Sequence, residues 1–140
     1  MSTVEVRVRD GRVPVPDELH LVEPLPGLPG RTALRLTPLD EQAALFTLRS
    51  LPGDEPLRLF VVAPDAFFAD YTPDAAALRG ALGLGEQDAE PTVLAVVHPA
   101  DDERPAPTVN LVAPVVVDPR DGRAVQVLLD EPWPLRAELR

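Results

Sequence analysis

Cysteine is absent from this chain of 140 residues, which excludes both a disulfide framework and a thiolate metal site. That composition suits a reducing compartment. Histidine is nearly absent: His20 and His98 are the only two, far apart, in no spacing that would set two metal ligands on one face. Aromatic residues amount to 4%, so Val, Leu and Ala must build the core, with Phe46, Phe60, Phe67 and Phe68 as its few large fillers. No apolar run approaches the roughly 18 residues that span a bilayer, and the N-terminus, MSTVEVRVRDGR, lacks the apolar stretch of a secretory signal. A soluble cytoplasmic protein with no membrane contact is expected. Lysine is missing too, and thirteen arginines stand against 23 acidic residues. The resulting net charge of −10 opposes direct binding to nucleic acid and favours a basic protein partner.

What is present is a series of short apolar runs separated by turn residues, on a chain long enough for one domain, residues 1–140. Val4, Val6 and Val8 alternate with charged residues and the alternation resumes at Val13 and Val15, so a hairpin is expected with its turn at Asp10-Gly11, whose residue types supply positive φ. Leu19 to Pro29 reads as a proline-rich connection, too punctuated for a helix or a central strand. Leu34 and Leu36, Leu45 to Leu51 and Leu57 to Ala63 read as strands, and Leu59-Phe60-Val61-Val62, apolar throughout, is expected to be central. Val93 to Val97, Val109 to Val112 and Val115 to Val117 read the same way, and Val125 to Leu129 returns from Asp121-Gly122 as a second hairpin. One helix is expected to begin at Thr72-Pro73-Asp74, with Thr72 as its cap, Pro73 in the first helical position and Asp74 at the positive end of the dipole. Ala75, Leu78 and Leu82 would share a face, and Gly83 or Gly85 would end it. The acidic segment PADDERPAP, residues 99–107, is expected to be a mobile surface loop. Eight or so short strands with one helix predict an all-β, mainly antiparallel fold: a small closed or nearly closed β-barrel with one short helix.

Few residues invite catalysis. GxSxG, GxGxxG and P-loop patterns are missing, and Ser50 has no base beside it in sequence. His98, followed by Asp101, Asp102 and Glu103, reads either as a weak metal or acid–base cluster or as a strand end running into a solvated acidic loop. Asp70 could be a general base oriented by Tyr71, or the pair could be a local hydrogen bond and a core anchor. Phe67 and Phe68 are adjacent and cannot both point inward easily, so either one is exposed for a partner or one staples the helix start.

Thr108 to Arg123, TVNLVAPVVVDPRDGR, is the most informative stretch. Asn110 stands where a β-branched residue would be preferred, and Pro114 interrupts what would be one strand. Together they predict a shaped sheet edge, at which Asn110 meets either a partner's backbone or an internal carbonyl. The ordered set GLPG at 27–30, LRSL at 48–51, FVVAPDAFFADY at 60–71, TVNLVAPVVV at 108–117, QVLL at 126–129 and Trp133-Pro134-Leu135-Arg136 resembles the FliW family of bacterial flagellar assembly factors over nearly the whole chain. Arg31 replaces the aromatic usual after GLPG, Arg49 a usual glutamine, Pro52 to Pro56 lengthen a turn, and Ala124-Val125 precede Gln126.

The resemblance implies a β-barrel that binds proteins and uses no cofactor or metal. Its implied partners are flagellin and CsrA, the RNA-binding translational repressor of flagellin synthesis. A FliW-type protein binds CsrA and relieves repression until accumulating flagellin competes for it. Contacts are expected near Phe67, Phe68, Asp70 and Tyr71, and along the edge that holds Asn110 and Pro114. Two alternatives stay open: a dedicated flagellin chaperone with no translational regulator, and a small β-barrel enzyme using Asp70 or the His98 loop.

Overall fold

Alternation of apolar and charged residues at the N-terminus forms a hairpin of β1 (Thr3–Val8) and β2 (Gly11–Pro16), a two-stranded sheet of its own. The computed structural model describes residues 2–23, 32–50, 58–85, 87, 88 and 90–139. Val8 pairs with Gly11, so the turn is Arg9-Asp10 rather than Asp10-Gly11, and only Gly11 takes positive φ, at 145°. Val6 and Val15 leave this hairpin fully buried against the main core.

The other strands among the described residues are β3 (Glu18–Leu21), β4 (Ala33–Pro38), β5 (Leu45–Ser50), β6 (Arg58–Val62), β7 (Thr92–His98), β8 (Thr108–Val109), β9 (Val115–Val117), β10 (Arg123–Gln126) and β11 (Ala137–Glu138). Seven of them close a ring in the order β7, β6, β5, β4, β3, β10, β9 and back to β7. Every pair in the ring is antiparallel except β3 with β10. Strand β7 is long enough to hold two neighbours on one side: Thr92–Leu94 pair with β9, while Val97 and His98 pair with β8, which carries β11 outward. The closed, mainly antiparallel barrel with one short helix agrees with the reading from sequence, as does the central position of β6.

Strand β3 corrects that reading. The segment from Leu19 was expected to be a connection, yet Glu18–Leu21 lies inside the sheet between β4 and β10. No proline stands between Pro16 and Pro24, and in that gap Leu19 and Leu21 are buried while Glu18 and His20 face out, a period of two that suffices for a strand. Pro24 to Arg31, with the GLPG motif, and Leu51 to Leu57, with the lengthened turn, lie outside the described residues.

The barrel interior is almost wholly aliphatic. Phe46 is the one phenylalanine in it, packed with Leu34, Leu36, Leu48, Leu94 and Val115. Two further clusters form on the outside: one centred on Tyr71, Leu111 and Val109, the other where the helix α1 (Ala75–Ala81) lays Leu78 and Leu82 on Val116, Val125 and Leu129. The helix begins two residues later than expected, because Asp74 caps it, its carboxylate accepting the Ala76 N–H at 3.1 Å. Thr72 and Pro73 lie before the cap.

Strands β9 and β10 form the expected second hairpin. Gly122 in its turn has φ 82°, and a Cβ there would stand 2.6 Å from the Glu18 carbonyl oxygen, so the turn is pressed against the start of β3. Only glycine satisfies both conditions.

Candidate partner-binding surface

A short 3-10 turn, Pro64–Ala66, follows β6 and turns the chain outward. The amide of Phe68 returns to the Pro64 carbonyl at 2.9 Å and that of Tyr71 to the Phe68 carbonyl at 3.1 Å, which coils the loop tightly. Phe67 points out, 37% exposed, while Phe68 packs on the Tyr71 cluster. Of the two readings for the adjacent phenylalanines, this is the one with an exposed ring. Asp70 is exposed as well, and Tyr71 is 2% exposed. The Tyr71 hydroxyl donates to the Leu111 carbonyl at 2.7 Å and its ring stands edge-on to Trp133, centroids 4.9 Å apart. Burial first, then the carboxylates of Glu131 and Asp65, pushes that hydroxyl far above the ordinary phenol range. With its proton committed to Leu111, Tyr71 does not orient Asp70 for catalysis.

Asn110 and Pro114 are both buried. The Asn110 side-chain oxygen accepts the Ala113 N–H at 3.1 Å, and its backbone N–H donates to Val96. This local turn explains why β8 ends at Val109, where an apolar run to Val112 had predicted a longer strand: the amide offers the backbone an alternative to the ladder. The chain from Asn110 to Pro114 then spans the gap between β8 and β9, which pair with successive parts of the same side of β7, so the segment is a bulge and not an open edge. Its carbonyls are taken up by the C-terminal half: Pro114 accepts from Val127 and Val112 from Leu129.

The two predicted segments, 67–71 and 110–114, are therefore fastened together through Tyr71 and Leu111. A third contact fixes them to the N-terminal hairpin, because Arg9 donates to the carbonyls of Ala69 and Tyr71 at 3.2 and 3.4 Å. Nothing in the local sequence around Arg9 signals a bond to residues sixty positions on. Phe67 and Asp70 present exposed side chains, while Tyr71, Asn110 and Pro114 are buried.

The sequence model of the FliW protein family matches residues 4–139. The chain belongs to the FliW family. It is 33% identical over 126 residues to the flagellar assembly factor FliW of Heliobacterium modesticaldum, covering 88% of this chain and 80% of the relative. The flagellar assembly factor FliW of Syntrophotalea carbinolica is 39% identical over 111 residues, 75% of each chain. A crystal structure of the flagellar assembly factor FliW superposes with a TM-score of 0.70 at 21% identity, over 99% of this chain and 97% of the other, which establishes the shared fold.

Two further groups stand out in this FliW family member. Asp118, fully buried at the start of the second hairpin's turn, accepts bonds from Arg120 at 3.0 Å and Arg123 at 3.3 Å and from the Arg120 amide. The bonds from Arg120 hold its carboxyl well below the usual range, at about 2. The sequence DPRDGR was read as a turn, without this buried carboxylate. At the far end of β7, burial lowers His98 below the ordinary imidazole range, with the Arg136 charge adding to it. The acidic loop beyond is folded on itself, Asp101 accepting the amides of Glu103 and Arg104 at 2.9 and 2.7 Å.

Proposed function

We propose that this FliW family member is a cytoplasmic flagellar assembly factor that binds flagellin and a CsrA-type translational regulator in exchange, so that the free flagellin pool sets how much regulator is held. The family match over residues 4–139 carries the reading. The exchange follows from mass action: whichever partner binds the protein removes it from the other.

Two physical features favour protein binding. Phe67 is an exposed aromatic on a loop held by Phe68, Tyr71 and Arg9, so little ordering cost attends its burial by a partner. The terminal segments of flagellin are helical in the filament and unpaired before assembly, and an apolar anchor of this kind suits a helix with one apolar face. For the regulator, the net charge of −10 steers toward a basic, RNA-contacting surface and repels RNA itself.

The test is co-purification of the tagged chain from its own host, with mass spectrometry of what elutes at low and at high salt. Flagellin together with the regulator is the expected result. Flagellin alone would replace the exchange with a dedicated chaperone, and recovery of neither would overturn the binding role and reopen the enzyme reading.

A further inference from the structure

Beneath the tip of the β1–β2 hairpin lies a cavity of about 350 Å³, walled by the hairpin, the 3-10 turn, the start of α1 and the entry to β7. Val8, Val13, Pro73, Leu78 and Val93 supply apolar walls. Asp10, Asp65 and Glu90 supply carboxylates, and Arg7 and Arg9 supply cations. Arg9 is already engaged with the carbonyls of Ala69 and Tyr71, and Arg7 is exposed to water. Asp65 is different: it receives the backbone N–H of Arg9 but forms no side-chain ion pair among the described residues. Burial raises its carboxyl above the usual range, partly opposed by Arg9, while Glu90 and Asp10 add to the rise.

A volume of this size bounded by apolar carbon and by three carboxylates against two guanidinium groups matches a side chain with a long aliphatic stem and a charged end. We propose that the cavity receives an arginine or lysine side chain of a protein partner, its stem against Val8, Val13 and Leu78 and its cationic head between Asp65 and Glu90. This rests on the protein-binding role argued above and gives that role a second anchor beside the first. A carboxylate is disfavoured in the same place, since the cavity's three acids outnumber its two bases.

The test uses the capped amino acid as its own probe. N-acetyl-arginine amide is titrated into the full chain while backbone amide resonances are followed by NMR, beside N-acetyl-citrulline amide, which keeps the shape without the charge. Saturable shifts confined to the residues around Val8, Asp10, Asp65 and Glu90 are expected with arginine, at least fivefold weaker with citrulline. Glu90→Gln, at an exposed position, and Asp65→Asn should each weaken the arginine response severalfold, the first safeguarding the test if the second does not fold. Equal responses to arginine and citrulline overturn the proposal, as do shifts spread over the whole acidic surface that survive both substitutions. Because the probe is not flagellin or a regulator, the result is independent of whether those proteins prove to be partners.

Discussion

Asp118 has no exposure to solvent and two arginines closing over it, each about half exposed. Its carboxyl titrates at about 2 in the folded chain against an ordinary 3.8, so it stabilises the fold fully above the ordinary value and loses that contribution as pH falls toward 2. The difference corresponds to roughly 2 kcal/mol at most. Urea unfolding of the wild type should therefore lose roughly 2 kcal/mol more between about pH 5 and about pH 2 than unfolding of Asp118→Asn; equal losses would mean the pair contributes nothing. Tyr71 and Phe67 make an opposed pair. Tyr71→Phe removes the bond to Leu111 and should lower stability by about 1 kcal/mol, with the ring packing on Trp133 kept. Phe67→Ser should leave stability within about 0.5 kcal/mol while weakening flagellin capture about tenfold or more, the scale of an interface anchor. A Phe67→Ser variant with undiminished capture would remove the loop from the binding surface.

Whether an element could be read in advance depended on whether its cause was local. Both hairpins and the central β6 were legible because period-two alternation and turn residues sit within a few positions of one another. Strand β3 was hidden by the density of prolines around it, although the four residues that pair contain none. Strand β8 was overextended because an apolar run says nothing about an asparagine whose side chain turns back on its own backbone. The adjacent phenylalanines single out the loop at 67–71, but its clasp by Arg9 and its bond to Leu111 join residues sixty and forty positions apart and leave no pattern in the sequence. The helix start was misplaced by two residues because Thr72 and Asp74 are both good caps, and only the geometry decides between them. Thermal unfolding discriminates them: Asp74→Ala should cost about 1 kcal/mol, and Thr72→Ala no more than a few tenths.

At the scale of the molecule, the acidic surface acts through distance and ionic strength rather than through any one contact. Association with a CsrA-type regulator should slow at least tenfold between low and physiological salt, as stopped-flow mixing would record, with the dissociation rate changing much less. An on-rate indifferent to salt would remove steering from the account. The barrel itself has a different long-range property. Its ring closes where His20 meets Arg123, residues roughly a hundred positions apart, through the one parallel pair. A nascent chain emerging from the ribosome has β3 to β7 available well before β9 and β10 exist, and for that interval both outer strands present bare backbone to whatever is near. At about 5–20 residues per second the interval lasts a few seconds. Translational pausing within the final third of the message would prolong it, and proteolytic clipping before Arg123 would make it permanent, because β10 closes the ring against β3.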